Sequence, residues 1–276
     1  MGHRDRPSGF LNAMFIRDGM KPSATGICRP SRAIANRFSP DSSIPAVRGA
    51  AWRQFLAIVA KLGSRSMKQP APVEAVVFDL LTALLDSWSV WNRAAGSETD
   101  GLRWRRAYLQ LTYGCGVYRP YEDLVREAAV KAGVAASAAA ALVADWHTLQ
   151  PWPEAPRVLA EVAARDIPLG VITNCSAALG RQAAERVGVA FSVVLTSEET
   201  GYYKPRPESY RAVLDRLGTD PARTLFVAGS PADIRGAAGV GMPVFWHNRA
   251  GLPFIADAAR PFLIADTLDP LRELAR

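Results

Sequence analysis

The stretch Val73-Glu-Ala-Val-Val-Phe-Asp79 (VEAVVFD) decides the fold. It is a largely apolar run with β-branched residues, of the length expected for a strand buried on both faces. One carboxylate, Asp79, closes it, and the chain then stays almost wholly apolar (LLTALL) until Asp86. Four similar runs follow: IPLGVITN (167–174), FSVVLTS (191–197), TLFVAGS (224–230) and PVFWHNR (243–249). Segments with helical spacing separate them, among them AALGRQAAERVG, PESYRAVLDRLG and PADIRGAAGVG. Alternating strand and helix over this length predicts an α/β fold with a doubly wound, Rossmann-like parallel sheet.

The interval 87–152 breaks the alternation. It reads as helical throughout (GLRWRRAYLQLTYG, PYEDLVREAAVKAG, SAAAALVADWHTL), with no convincing strand, and so as a small helical subdomain inserted into a core made of 73–86 plus 153–276. Its aromatic residues (Trp88, Trp91, Trp104, Tyr108, Tyr113, Tyr118, Tyr121) read mainly as packing, with some available to line a cleft.

The net charge of +7 resides in the first 66 residues, where eleven Lys/Arg face three Asp/Glu; the remainder has a balance of −1 and no Lys/Arg stripe. A nucleic-acid partner is therefore not expected. Residues 1–66 read either as a basic, Arg- and Ser-rich leader resembling a transit peptide, or as sequence upstream of a true start at Met67. No window approaches the roughly 18–20 apolar residues of a membrane span, so no membrane partner is expected. Cys28, Cys115 and Cys175 are too scattered for a disulfide framework, and His3, His147 and His247 show no metal-ligand spacing. A reducing, cytoplasmic location follows, with organelle import if the leader is genuine. Cys175 reads as a small buried thiol rather than a nucleophile.

Ligands of open α/β sheets bind at the carboxyl ends of the strands, so the polar residues closing each run are the candidates. Asp79 ends the first run and Thr173 and Asn174 the second; Lys204 follows the third, and Asp233 lies just after the fourth. An acid, a hydroxyl and amide pair, a lysine and a second acid compose the site of a covalent hydrolase.

In this order the motifs FD, TN, KP and GSPAD resemble those of the haloacid dehalogenase-like superfamily over roughly residues 73–270. The resemblance implies that 87–152 is a cap and Asp79 a nucleophile. Phosphatases of that superfamily have a second acid two residues after the nucleophile and another early in the fourth motif, which helps hold magnesium; Leu81 and Gly229 stand at those positions. The L-2-haloacid dehalogenases lack both acids and need no metal or other cofactor. The helix RWRRAYLQLTY resembles the one that carries their halide-accepting arginine, which maps to Arg105, with Leu109 lining the substrate one turn on. KPRPESY places Tyr210 six residues after Lys204, as in that family, and WHNR (246–249) resembles the close of its last core strand.

The resemblance thus implies cleavage of a small 2-substituted carboxylic acid through an aspartyl ester. Lys204 would keep Asp79 ionised, and Thr173 and Asn174, with Tyr210, would bind substrate. Asp233 and Ser230 would orient water. Homodimers are common in that family and are expected here. The chain departs from the family in having Leu81 and Ala83 where an aromatic and a threonine are usual, with Thr82 one position short, and Ala228 and Ser230 where a serine and an asparagine are usual. A magnesium-dependent phosphatase and a catalytically silent binding protein are the alternatives.

Overall fold

The computed structural model describes residues 72–254 and 259–275; the reading of 1–66 lies outside them. Six parallel strands form one sheet: β1 (Ala75–Asp79), β2 (Leu169–Thr173), β3 (Val193–Thr196), β4 (Thr224–Ala228), β5 (Val244–His247) and β6 (Leu263–Ala265). Their order is β3-β2-β1-β4-β5-β6, so the winding direction reverses between β1 and β4. That reversal opens a crevice beyond the strand ends, flanked here by Asp79 and Gly229.

Every residue of β1 is buried, as the unbroken apolar run predicts for a central strand. Its side chains alternate between two cores. Val76 and Phe78 pack on one face, and Val77 joins Ile172, Tyr210 and Phe226 on the other. Each such side chain contributes about 1.5–3 kcal/mol on burial, which anchors Asp79 in the registration Asp79↔Ile172 and Phe78↔Val227. The sixth strand has no counterpart among the five sequence runs. It is three residues long, partly exposed and pairs only with β5.

Between β1 and β2 lie α1 (Ser87–Ala95), α2 (Glu98–Gly114), α3 (Tyr121–Lys131), α4 (Ser137–Ala144), a 3-10 turn (Asp145–Thr148) and α5 (Ala155–Ala163). No strand interrupts them among the described residues. Gly101 lets α1 and α2 approach closely, because a Cβ there would meet Asn92. The two connections into this insertion pair with each other, through a Leu85↔Pro151 bridge and through Asp86 N donating to Gln150 O (2.9 Å). Trp146 Nε1 donates to Leu179 O (2.9 Å) and Ser176 Oγ to Glu122 (2.7 Å), tying the insertion to α6 (Ala177–Glu185) and its approach. The remaining helices are α7 (Ser197–Thr200), α8 (Pro207–Leu217), α9 (Pro231–Gly239) and α10 (Leu271–Leu274), with a short 3-10 turn at Pro221–Arg223. No helix among the described residues is long and apolar enough to cross a membrane.

Candidate active site

Beyond β1 the chain winds back in a helical turn, with Leu84 N and Leu85 N both donating to Leu80 O. A turn wound this way presents the backbone N–H groups three and four residues on to the residue that opens it, as at a helix N-terminus. Asp79 Oδ2 accordingly accepts from Thr82 N (3.0 Å), Ala83 N (3.1 Å) and the Thr82 hydroxyl (2.5 Å). Thr82, one position short of the family's threonine, thus reaches the carboxylate after all. The helical sense of the turn brings it there. Trp152 Nε1 donates to Thr82 O (3.1 Å) and fixes the turn from the insertion boundary.

Asp79 Oδ1 accepts from Lys204 Nζ at 2.7 Å, and the same ammonium stands 3.1 Å from Asp233 Oδ1. All three side chains are buried. Burial pushes the Asp79 carboxyl up, but the Lys204 charge and hydrogen bond, with the Thr82 bonds, outweigh it and hold the acid below its ordinary 3.8. Burial likewise pushes Lys204 down, and the two carboxylates reverse that to above 10.5. Asp233 goes the other way: burial, with the Asp79 charge beside it, raises it above 3.8 despite Lys204. Two neighbouring acids are thereby separated, one firmly ionised and one more basic.

Asp233 lies in the first turn of α9, yet it does not serve as that helix's cap. Its Oδ1 accepts from Tyr210 OH (3.0 Å) and its Oδ2 from Ser230 Oγ (3.1 Å). Tyr210 reaches Asp233 from α8 over Phe226, the rings 5.3 Å apart, and a Cβ at Gly236 would collide with the tyrosine ring.

A cavity of about 70 Å³ lies over these residues. On the core side it is lined by Asp79, Leu81, Thr82, Asn174, Lys204, Ser230, Ala232, Asp233 and Leu252, and on the insertion side by Trp88, Trp91, Arg105, Tyr108, Leu109, Tyr113 and Tyr121. Its volume is well above the roughly 10–15 Å³ needed to hold a single water, so the cavity can admit a small ligand. Five of the aromatic residues read mainly as packing therefore face it. Arg105 is buried, donates to Ser87 Oγ (3.0 Å) and lies 3.9 Å over the Trp88 ring, and its Nη1 has no partner. Burial pushes it down to about 10, which leaves it charged at neutral pH.

Asp79, Lys204, Asp233, Ser230, Asn174, Arg105 and Leu109 thus meet around one cavity, whereas Thr173 and Tyr210 do not line it. Thr173 is fully buried, its hydroxyl 3.8 Å from Cys175 Sγ and its methyl close to where a Cβ on Gly180 would lie, so it packs beneath α6. Tyr210 supports Asp233 from behind. Asn174 lines the cavity, but its amide clamps the Lys204 backbone, accepting from Lys204 N (2.8 Å) and donating to Lys204 O (3.0 Å). Thr173 and Tyr210, expected among the substrate-binding residues, thus lie behind the cavity wall, and Asn174 acts on Lys204. Cys175 is buried, with its thiol pushed up to about 12 by burial, as expected of a packing residue. Thr82, Ser87 and Leu252 are contacts that the sequence did not point to, and the aromatic residues, read mainly as packing with some available to line a cleft, supply one wall.

The donor set does not fit a divalent cation. Hard cations take several oxygen ligands, yet the Lys204 ammonium bridges the two carboxylates. A side chain at Gly229 is also excluded, because a Cβ there would lie 2.5 Å from Ala83 N and 2.7 Å from Asp79 Oδ2. Among the described residues no group of three His, Cys, Asp or Glu side chains forms a cluster for a metal.

Residues 73–241 match the family of haloacid dehalogenase-like hydrolases. The chain is 26% identical over 218 residues to haloacetate dehalogenase H-2 of Moraxella sp. (strain B), covering 73% of this chain and 97% of that one. It is 30% identical over 187 residues to phosphoserine phosphatase of Thermus thermophilus, covering 64% and 74%. The solved L-2-haloacid dehalogenase RSc1362 superposes with a TM-score of 0.67 at 26% identity, over 74% of this chain and 99% of that one. The parallel sheet wound about β1, the lysine-held carboxylate at its tip and a family match spanning most of the core lead to one conclusion: this chain belongs to the haloacid dehalogenase-like hydrolases.

Proposed function

We propose that the chain is a metal-independent hydrolase that releases halide from a small (S)-2-haloacid through an aspartyl ester, with inversion at C2. One observation carries this reading: an ionised carboxylate, held by a buried lysine, opens into a small cavity that also contains an incompletely paired guanidinium. The dehalogenases among the similar proteins support it.

Asp79 Oδ2 already accepts three hydrogen bonds, whereas Oδ1 accepts only that of Lys204 among the bonds described. Oδ1 therefore keeps a free lone pair and is the attacking atom. It forms the C–O bond as the C–halogen bond breaks, and the halide leaves with the electron pair toward Arg105. A halide is stable as an anion and needs no proton, which is why a leucine suffices at position 81. An alkoxide leaving group would need an acid there. In the second step water attacks the ester carbonyl of Asp79 while Asp233, the more basic of the two acids and held by Ser230 and Tyr210, takes its proton. The acyl C–O bond then breaks, the 2-hydroxy acid leaves as an alkoxide that takes that proton back from Asp233, and the Asp79 carboxyl loses its own proton to solvent and is regenerated. The helices 87–152 act as the cap, and their aromatic side chains exclude bulk water.

The phosphatase alternative has a relative in its favour, the Thermus enzyme. Against it stand Leu81, Gly229 and the missing cation ligands. Halide release from each enantiomer of 2-chloropropionate, with EDTA or magnesium, in wild type and Asp79→Asn tests the proposal. Release that survives EDTA, favours the S enantiomer and disappears in Asp79→Asn is expected. Activity confined to phosphate esters with magnesium would overturn it.

A further inference from the structure

Two buried polar atoms of the cavity lining have no partner: Arg105 Nη1 and the hydroxyl of Tyr121. Arg105 is 9% exposed and Tyr121 1%. Buried polar groups are nearly always hydrogen-bonded, so an unmet one at a cavity wall calls for an explanation. The ring of Tyr121 is fixed by edge contacts with Tyr108 (5.6 Å) and Trp146 (5.9 Å), which anchor the side chain without using its hydroxyl. A phenylalanine would make the same ring contacts.

We propose that Tyr121 is the second donor of the leaving-group pocket, and that its hydroxyl, together with Arg105 Nη1, makes the site selective for small, hard halides. This rests on the dehalogenase reading above. As the C–Cl bond breaks, chloride takes the electron pair and accepts one hydrogen bond from each group. Chloride concentrates its charge more than bromide does and leaves less readily, so its departure draws more on a desolvated second donor. Burial raises the Tyr121 pKa, which keeps the hydroxyl protonated and able to donate.

The test compares wild type with Tyr121→Phe in four measurements. Release of chloride from (S)-2-chloropropionate should fall about tenfold or more in the variant, the effect of one hydrogen bond to a charged group. Release of bromide from (S)-2-bromopropionate should fall severalfold less. In halide-free buffer the variant's Tm should be unchanged or higher, since no bond of the free protein is lost. Bromide titration, followed by quenching of the cavity tryptophans Trp88 and Trp91, should saturate in wild type and weaken in the variant. Equal losses for both leaving groups, or saturable bromide quenching that is unchanged in the variant or lacking in wild type, would overturn the proposal. A wild type that releases no halide yet binds bromide in a Tyr121-dependent way would refute the dehalogenase reading and leave the anion pocket standing.

Discussion

The two sides of the cavity are built on opposite terms. On the core side the two carboxylates are each held by several bonds: Asp79 by Lys204, Thr82 and Ala83, and Asp233 by Lys204, Tyr210 and Ser230. On the helical side Arg105 and Tyr121 retain unmet donors among tryptophan and tyrosine rings. Groups fixed by several bonds before substrate arrives need no reorganisation during reaction, and this suits a nucleophile and a base. Donors left open suit a group that is absent until the bond breaks. The core side is thus preorganised, whereas the helical side keeps donors that the proposed leaving group would complete.

Substitutions can break this contrast, and the largest effect belongs to Asp79. Asp79→Asn should lower halide release by roughly 10⁴-fold or more, as removing a nucleophile does, while Lys204 keeps Asp233 as a partner and the fold persists; circular dichroism and a chloride assay check both. Lys204→Met comes next. It leaves two buried carboxylates without a counter-charge, at a cost of about 3–5 kcal/mol, and releases Asp79 to the upward push of burial. Activity at neutral pH should drop about 10³-fold, and the urea midpoint should fall.

The same pair gives a pH dependence with a definite sign. Because the folded pKa of Lys204 is raised, its contribution to stability is fully present below 10.5 and is lost as pH rises through the higher folded value. The stability gap between wild type and Lys204→Met should be constant at pH 8 and 9.5 and shrink only above 10.5. A gap already closing at pH 9 would contradict the direction of the shift.

Smaller effects should separate orientation from charge. Thr82→Val removes the hydroxyl bond to Asp79 Oδ2 but keeps both backbone donors, and activity should fall about 10- to 100-fold. Tyr210→Phe removes a bond to Asp233 behind the cavity. It should slow hydrolysis of the ester about tenfold or less and leave the first, halide-releasing burst intact, as rapid-quench measurements would show. If Tyr210→Phe instead abolished the burst, Tyr210 would belong with the substrate contacts.

Much of the core side was legible from the sequence, because the rule locating polar residues at strand ends depends only on finding the strands. Asp79, Lys204 and Asp233 follow from it, whereas Ser230 came only with the resemblance to the dehalogenases. Thr173 shows where the rule stops: it ends a strand, but alternation turns its side chain beneath α6 rather than toward the crevice. Thr82 was hidden for a related reason. Motif spacing counts residues, whereas contact with Asp79 depends on the helical winding of the turn. The helical wall was the least legible, since Trp91, Tyr108 and Tyr121 pack in the core and line the cavity at once. Nothing in their spacing distinguishes the two roles. The strand β6 escaped because three half-exposed residues carry little periodicity.

The central claim is that Asp79 forms a covalent ester. A single turnover in H₂¹⁸O, with enzyme in excess over (S)-2-chloropropionate, tests it most directly. The account predicts unlabelled lactate from the first turnover and one ¹⁸O in the peptide containing Asp79. Labelled lactate with an unlabelled Asp79 peptide would mean that water attacks C2 directly, and would contradict it.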